Sequence, residues 1–131
     1  MPPPAPPPPG HAPELPAYAE LHCRSNFSFL RAASHPHELV QRAAQLGYAA
    51  IAITDECSVA GAVRAHEACK ALRSTGQAPQ LLIGAEFTLE ATANAPGARL
   101  VLIAMNREGY AQLGGLITLG RGRSAKGAYR L

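Results

Sequence analysis

GYAAIAITDEC, from Gly47 to Cys57, is an apolar run that stops abruptly at two carboxylates, Asp55 and Glu56. A short hydrophobic segment with no polar alternation suits a strand covered on both faces, and such strands belong to parallel sheets. The pattern returns in LLIGAEF, from Leu81 to Phe87, which carries Glu86 near its end. Working outward, AELHCRSNFSFL (Ala19 to Leu30) puts His22 and Arg24 at a comparable place. In β/α folds the C-terminal ends of strands open onto the functional site, so Asp55, Glu56 and Glu86 are its first candidates.

Helical signals separate these segments. Pro36 suits a first helical turn, Ser34 or His35 can cap it, and Glu38 lies where the helix dipole favours an anion. Leu39, Val40, Ala43, Ala44 and Leu46 form an apolar face, and Gly47 is a natural stop. A strand over Ala49 to Thr54 is followed by a helix from about Val59 to Arg73, with Ala62, Ala65, Cys69 and Leu72 on its buried side. Next come a strand from Gln80 to Leu89, a turn at Asn94 to Gly97, a strand from Arg99 to Ala104 and a last helix from Arg107 to about Leu119. In the first segment, Tyr18, Leu21 and Cys23 are expected on one side of a strand. The alternation predicts an α/β fold of βαβ units around a parallel sheet. Four strands are half of a closed β/α barrel, so the chain reads as the N-terminal part of a longer fold.

With 131 residues and 47% hydrophobic content, the chain can bury one core and not two. Residues 1–16 hold most of the prolines and form a Pro-rich tail expected to be disordered or polyproline-like, a solvated leader in preference to a ligand for an SH3 or WW groove. The folded domain is expected over 17–131. The formal charge is +3, and no acid follows Glu108, whereas Arg121, Arg123, Lys126 and Arg130 do. That basic end is a solvated face or a nucleic-acid contact. Cys23, Cys57 and Cys69 form no CxxC pair, which disfavours a zinc knuckle and suits a reducing, cytoplasmic setting with buried thiols. No apolar run approaches the roughly 20 residues of a membrane span, and no signal-peptide pattern opens the chain.

Taken together, LHCRSNFSFL, HPHELV, AIAITDE, the GAV that opens a helix, and LLIGAEF resemble the N-terminal half of a PHP domain, the polymerase and histidinol phosphatase fold. TDECSVAGAVRAHEA and NREGYAQLGGLITLGRGRSAKGAYRL are most similar to the PHP domain that opens error-prone alpha subunits of bacterial DNA polymerase III. The resemblance implies a distorted β/α barrel with up to three metal ions at the strand ends. It also implies an HxH motif, an aspartate, a TDH histidine and a GxE glutamate as ligands.

Position by position, His22 and Glu86 match that pattern, Arg24 stands for the second histidine, Arg31 falls near the aspartate, and Glu56 replaces the TDH histidine; Asp55 matches a supporting aspartate. A guanidinium has no acceptor and stays protonated, so Arg24 and Arg31 cannot ligate a cation. The expectation is a degenerate site with no catalytic residue and no metal, where Arg24 or Arg31 pairs with Glu86 or Glu56.

By the same resemblance, the whole protein is a nucleotidyltransferase using Mg2+ on a DNA primer-template in damage-induced translesion repair. Its expected partners are its remaining polymerase domains, a sliding clamp and accessory mutagenesis proteins. Two alternatives stand beside this reading: a metal-dependent PHP-type phosphoesterase or exonuclease, and a noncatalytic interaction scaffold.

Overall fold

A computed structural model describes residues 17–131; the Pro-rich segment 1–16 lies outside the described residues. The elements are β1 (Ala19–Cys23), α1 (Pro36–Gln45), β2 (Ala50–Glu56), α2 (Ala62–Leu72), β3 (Gln80–Leu89), β4 (Ala98–Ile103) and α3 (Arg107–Gly122). A single 3-10 turn, Arg73–Thr75, extends α2. The strands form one sheet in the order β1-β2-β3-β4.

The parallel βαβ expectation holds for β1 to β3, while β4 runs antiparallel to β3. The reason is chain length. Residues 90–97 connect β3 to β4, too few for the dozen or more that a parallel crossover requires, so the chain turns back as a hairpin. The register of β1 also differs from strict alternation. It shifts between Glu20 and Cys23, so that Cys23 packs with the core while Tyr18 and Leu21 are about half exposed.

Registry explains which side chains go inward. Ile51 and Ile53 of β2 pack with Val40 and Ala43 of α1 and with Ala65 and Cys69 of α2. Ala85 and Phe87 of β3 share a second cluster with Cys57 and Leu113 of α3. Ile51 pairs with Leu81 and Asp55 with Ala85, so the odd-numbered positions of both strands face the same way, and all three helices lie on that side. Phe87 is wholly buried, and burying a phenyl ring of this size contributes about 2–3 kcal/mol. The even positions, including Thr54, Glu56, Gly84 and Glu86, point to the opposite face. Gly84 is required there, because a Cβ would sit 2.5 Å from the carbonyl oxygen of Leu102 on β4.

Helix α1 starts as its sequence suggests. His35 is the N-cap, its backbone N–H donates to the Glu38 carboxylate at 2.7 Å, and Gly47 ends the helix at φ +70°. Asn106 caps α3 by accepting from the Gly109 N–H at 2.8 Å, and this helix runs through four glycines to Gly122, past the expected end at Leu119. Leu113, Leu116 and Ile117 pack it onto the sheet, offsetting the poor helix propensity of glycine.

Candidate functional site: an ion-pair cluster at the strand ends

The three candidate carboxylates do not converge. Asp55 and Glu56 are consecutive on β2 and therefore project from opposite faces. Asp55 lies on the helix side and is fully buried. Its Oδ1 accepts from the Ser25 N–H and the Ser28 hydroxyl, both at 2.7 Å, and its Oδ2 accepts from the Ser25 hydroxyl at 2.7 Å. Ser28 Oγ also accepts from the Glu56 N–H at 3.0 Å. Asp55 is thus the anchor of the loop between β1 and α1. Gly61 gives this anchor its room: a Cβ there would lie 2.9 Å from Pro36 Cγ and 3.3 Å from Asp55 Oδ2.

Glu56 and Glu86 are register partners on the other face. Glu86 is wholly buried. Arg24 Nη2 contacts its two oxygens at 2.5 and 2.7 Å, His22 Nε2 contacts Oε2, and Arg99 Nε lies 3.4 Å from Oε1. Burial pushes the Glu86 carboxyl up, yet the hydrogen bonds and positive charge of Arg24 and His22 outweigh it and hold the group below the ordinary carboxylate range. The hydrogen bond to Glu86 raises Arg24 in turn. Arg31 Nη2 stands 3.8 Å from Glu56 Oε2, and the Tyr129 hydroxyl donates to Glu56 Oε1 at 3.0 Å. Tyr129 also accepts from the Thr88 N–H at 2.7 Å, tying the C-terminal segment across the ends of β2 and β3.

The basic C-terminal residues are divided. Arg121 donates to the carbonyls of Cys57 and Glu56, at 3.2 and 3.5 Å, and Arg130 pairs with Glu90 at 2.7 Å. Arg123 and Lys126 are exposed. Cys57 and Cys69 are buried small hydrophobes, and burial pushes their thiols up; Cys23, half-buried, is pushed to about 11 by the same cause. Arg99, Ser25, Ser28 and Tyr129 escaped the sequence reading. SNFS offered two hydroxyls three residues apart after a strand, a usable signal, whereas nothing local marks Arg99 or Tyr129.

A family model described as "PHP domain" matches residues 20–130. The chain belongs to the PHP domain family. This PHP domain is 62% identical over 117 residues to the error-prone DNA polymerase of Bordetella parapertussis, and 59% identical over 114 residues to that of Methylococcus capsulatus. The matches cover 89% and 87% of the chain but 11% and 10% of those polymerases, so the chain spans about a tenth of their length.

Among solved structures, a proposed metal-dependent phosphoesterase from Bifidobacterium adolescentis aligns with TM-score 0.56 and 24% identity, over 83% of this chain and 36% of that one. An amidohydrolase from Chromobacterium violaceum aligns with TM-score 0.58 and 23% identity, over 82% and 34%. At these identities the likeness concerns the fold.

The metal cluster implied by the fold family does not fit the residues present. Both oxygens of Glu86 are engaged by a guanidinium, and Arg24 and Arg31 bring fixed positive charge to the positions in question. Among the described residues, no three His, Cys, Asp or Glu side chains converge as a metal would require. A larger cleft of about 1010 Å³ lies between α2 and α3 at the start of β3, lined by Val63, His66, Cys69, Leu81 and Tyr110, and contains none of the candidate site residues.

Proposed function

We propose that this chain is the PHP portion of an error-prone DNA-directed DNA polymerase, and that the portion itself is a noncatalytic brace in which an ion-pair cluster stands where active relatives hold metal. The observation that carries the second half is Glu86, buried and held by Arg24, His22 and Arg99. The relatives' name and their similarity across nearly the whole chain support the first half. Nucleotidyl transfer, its Mg2+, the primer-template, the sliding clamp and accessory mutagenesis proteins belong, in this reading, to the longer protein in the cytoplasm. No helix among the described residues is long and apolar enough to cross a membrane.

Elemental analysis of the purified chain should find no stoichiometric zinc or manganese, and a chelator should leave its melting temperature unchanged. A stoichiometric metal would overturn the metal-free reading and restore the phosphoesterase alternative. Deleting 17–131 from the longer polymerase should impair its folding or activity; an intact, active deletion would remove the bracing role.

A further inference from the structure

The helix side of β3 is covered along only part of its length. Ala85 and Phe87 are fully buried beneath α3, whereas Leu81 and Ile83, on the same side, keep partial exposure. These two residues floor the cleft of about 1010 Å³ between α2 and α3. One wall is a single face of α2 and the turn that extends it, where Ala62, His66, Cys69 and Arg73 recur at helical spacing over roughly 17 Å, about three turns. Apolar side chains stand at the rim in water: Met105 is 96% exposed and Val63 67%. An open apolar trough of this length is the form that receives a helix.

The charge of the trough indicates which kind of helix. Arg73 and Arg107 line it, and no acid does. Among the described residues neither guanidinium pairs with a carboxylate, and the side-chain hydrogen bonds made by arginines belong to Arg24, Arg42, Arg121 and Arg130. An uncharged occupant would desolvate these two cations without supplying an acceptor, whereas acids flanking an apolar stripe would meet them at the rim. This chain does not carry such a helix itself. Its three helices hold one acid each, Glu38, Glu67 and Glu108, always with a basic residue on the same helix, and residues 1–16 contain Glu14 alone.

We propose that the cleft between α2 and α3 docks an acidic amphipathic helix of a partner protein, its apolar stripe on Leu81, Ile83 and Met105 and its carboxylates against Arg73 and Arg107. The proposal goes beyond the bracing role and rests on this cleft alone. Its probe is a fluorescein-labelled synthetic helix of about 14 residues with leucines along one stripe and glutamates on both sides of it, titrated with the 131-residue chain and followed by anisotropy. Binding should saturate and weaken with salt. Met105→Ala should weaken it roughly tenfold, and Arg73→Glu with Arg107→Glu should do so by a similar factor. The same peptide with lysines for glutamates should bind that double variant better than the parent chain. All three side chains are exposed, and circular dichroism melts check that the variants fold. Absence of saturable binding, indifference to Met105→Ala, or a lysine peptide bound to the parent as tightly as the glutamate peptide would overturn the proposal. Self-association of the chain that Met105→Ala abolishes, without peptide binding, would assign the cleft to a second copy instead. Dodecanoate bound where the peptide is not would assign it to a small apolar acid.

Discussion

Arg24 places a single guanidinium nitrogen on both oxygens of Glu86, at 2.5 and 2.7 Å, and Glu86 has no exposure to water. A buried carboxylate depends on its partner, so the two residues should not respond alike to replacement. Arg24→Ala leaves the anion desolvated with weaker compensation from His22 and Arg99, and should cost about 3 kcal/mol. Replacing both, as Arg24→Met with Glu86→Met, removes the unpaired charge and should recover most of that loss. Urea unfolding of the two variants checks the order; equal stabilities would show that the pair is not coupled.

Acid should attack the same cluster. The Glu86 pKa is depressed in the folded state, so its contribution is present above its unfolded value near 4.5 and is lost as pH falls through the lower folded value. Urea midpoints should fall below about pH 4.5, and Glu86→Gln should flatten that acid limb.

Alkali acts through the thiols with the opposite sign. Cys23 is raised from 9.0 to about 11, so its share of stability is complete below pH 9 and disappears as pH rises through about 11. Cys23→Ala should blunt the alkaline loss in thermal melts, and at neutral pH the three thiols should react slowly with a disulfide reagent until the chain unfolds.

Asp55→Ala strips the partners from one backbone N–H and two hydroxyls at the base of the loop. Loss of this buried set should destabilise the chain by on the order of 3 kcal/mol. Hydrogen exchange should rise at Ser25 and at Glu56, whose N–H rests on Ser28. An Asp55→Ala protein as stable as the parent would mean that the loop is held elsewhere.

Gly84→Ala should be among the most harmful single-methyl additions, since the obstacle at 2.5 Å is backbone in the adjacent strand. Gly114→Ala, with nothing within 4 Å, should instead stabilise α3 by up to about 1 kcal/mol. Melting temperatures moving in opposite directions would verify the contrast.

The strands and helices were readable because their signals are local: AIAIT is a buried run, His35–Pro36–Glu38 starts a helix and Gly47 stops one. The parallel α/β sheet was legible as a class, and only the direction of β4, set by the hairpin at the short 90–97 connection, departs from it. The candidate residues and the pairing of Arg24 or Arg31 with Glu86 or Glu56 were legible, but the separation of Asp55 from that group was not. Adjacent in sequence, Asp55 and Glu56 are separated by the sheet itself, and the hydroxyls that satisfy Asp55 come from 27 and 30 positions away. Arg99 reaches Glu86 only because β4 turns back, and Tyr129 reaches Glu56 only because the chain returns after α3. Such pairings depend on tertiary return paths that no local pattern encodes.

The division of β2 between two faces has a consequence for how this sequence can drift. Asp55 secures the scaffold from the helix side, while Glu56 faces the cluster on the other. The side chain at position 56 can therefore be replaced without removing the contacts of the joint next to it. Neighbouring side chains thus serve the scaffold and the ion-pair cluster separately.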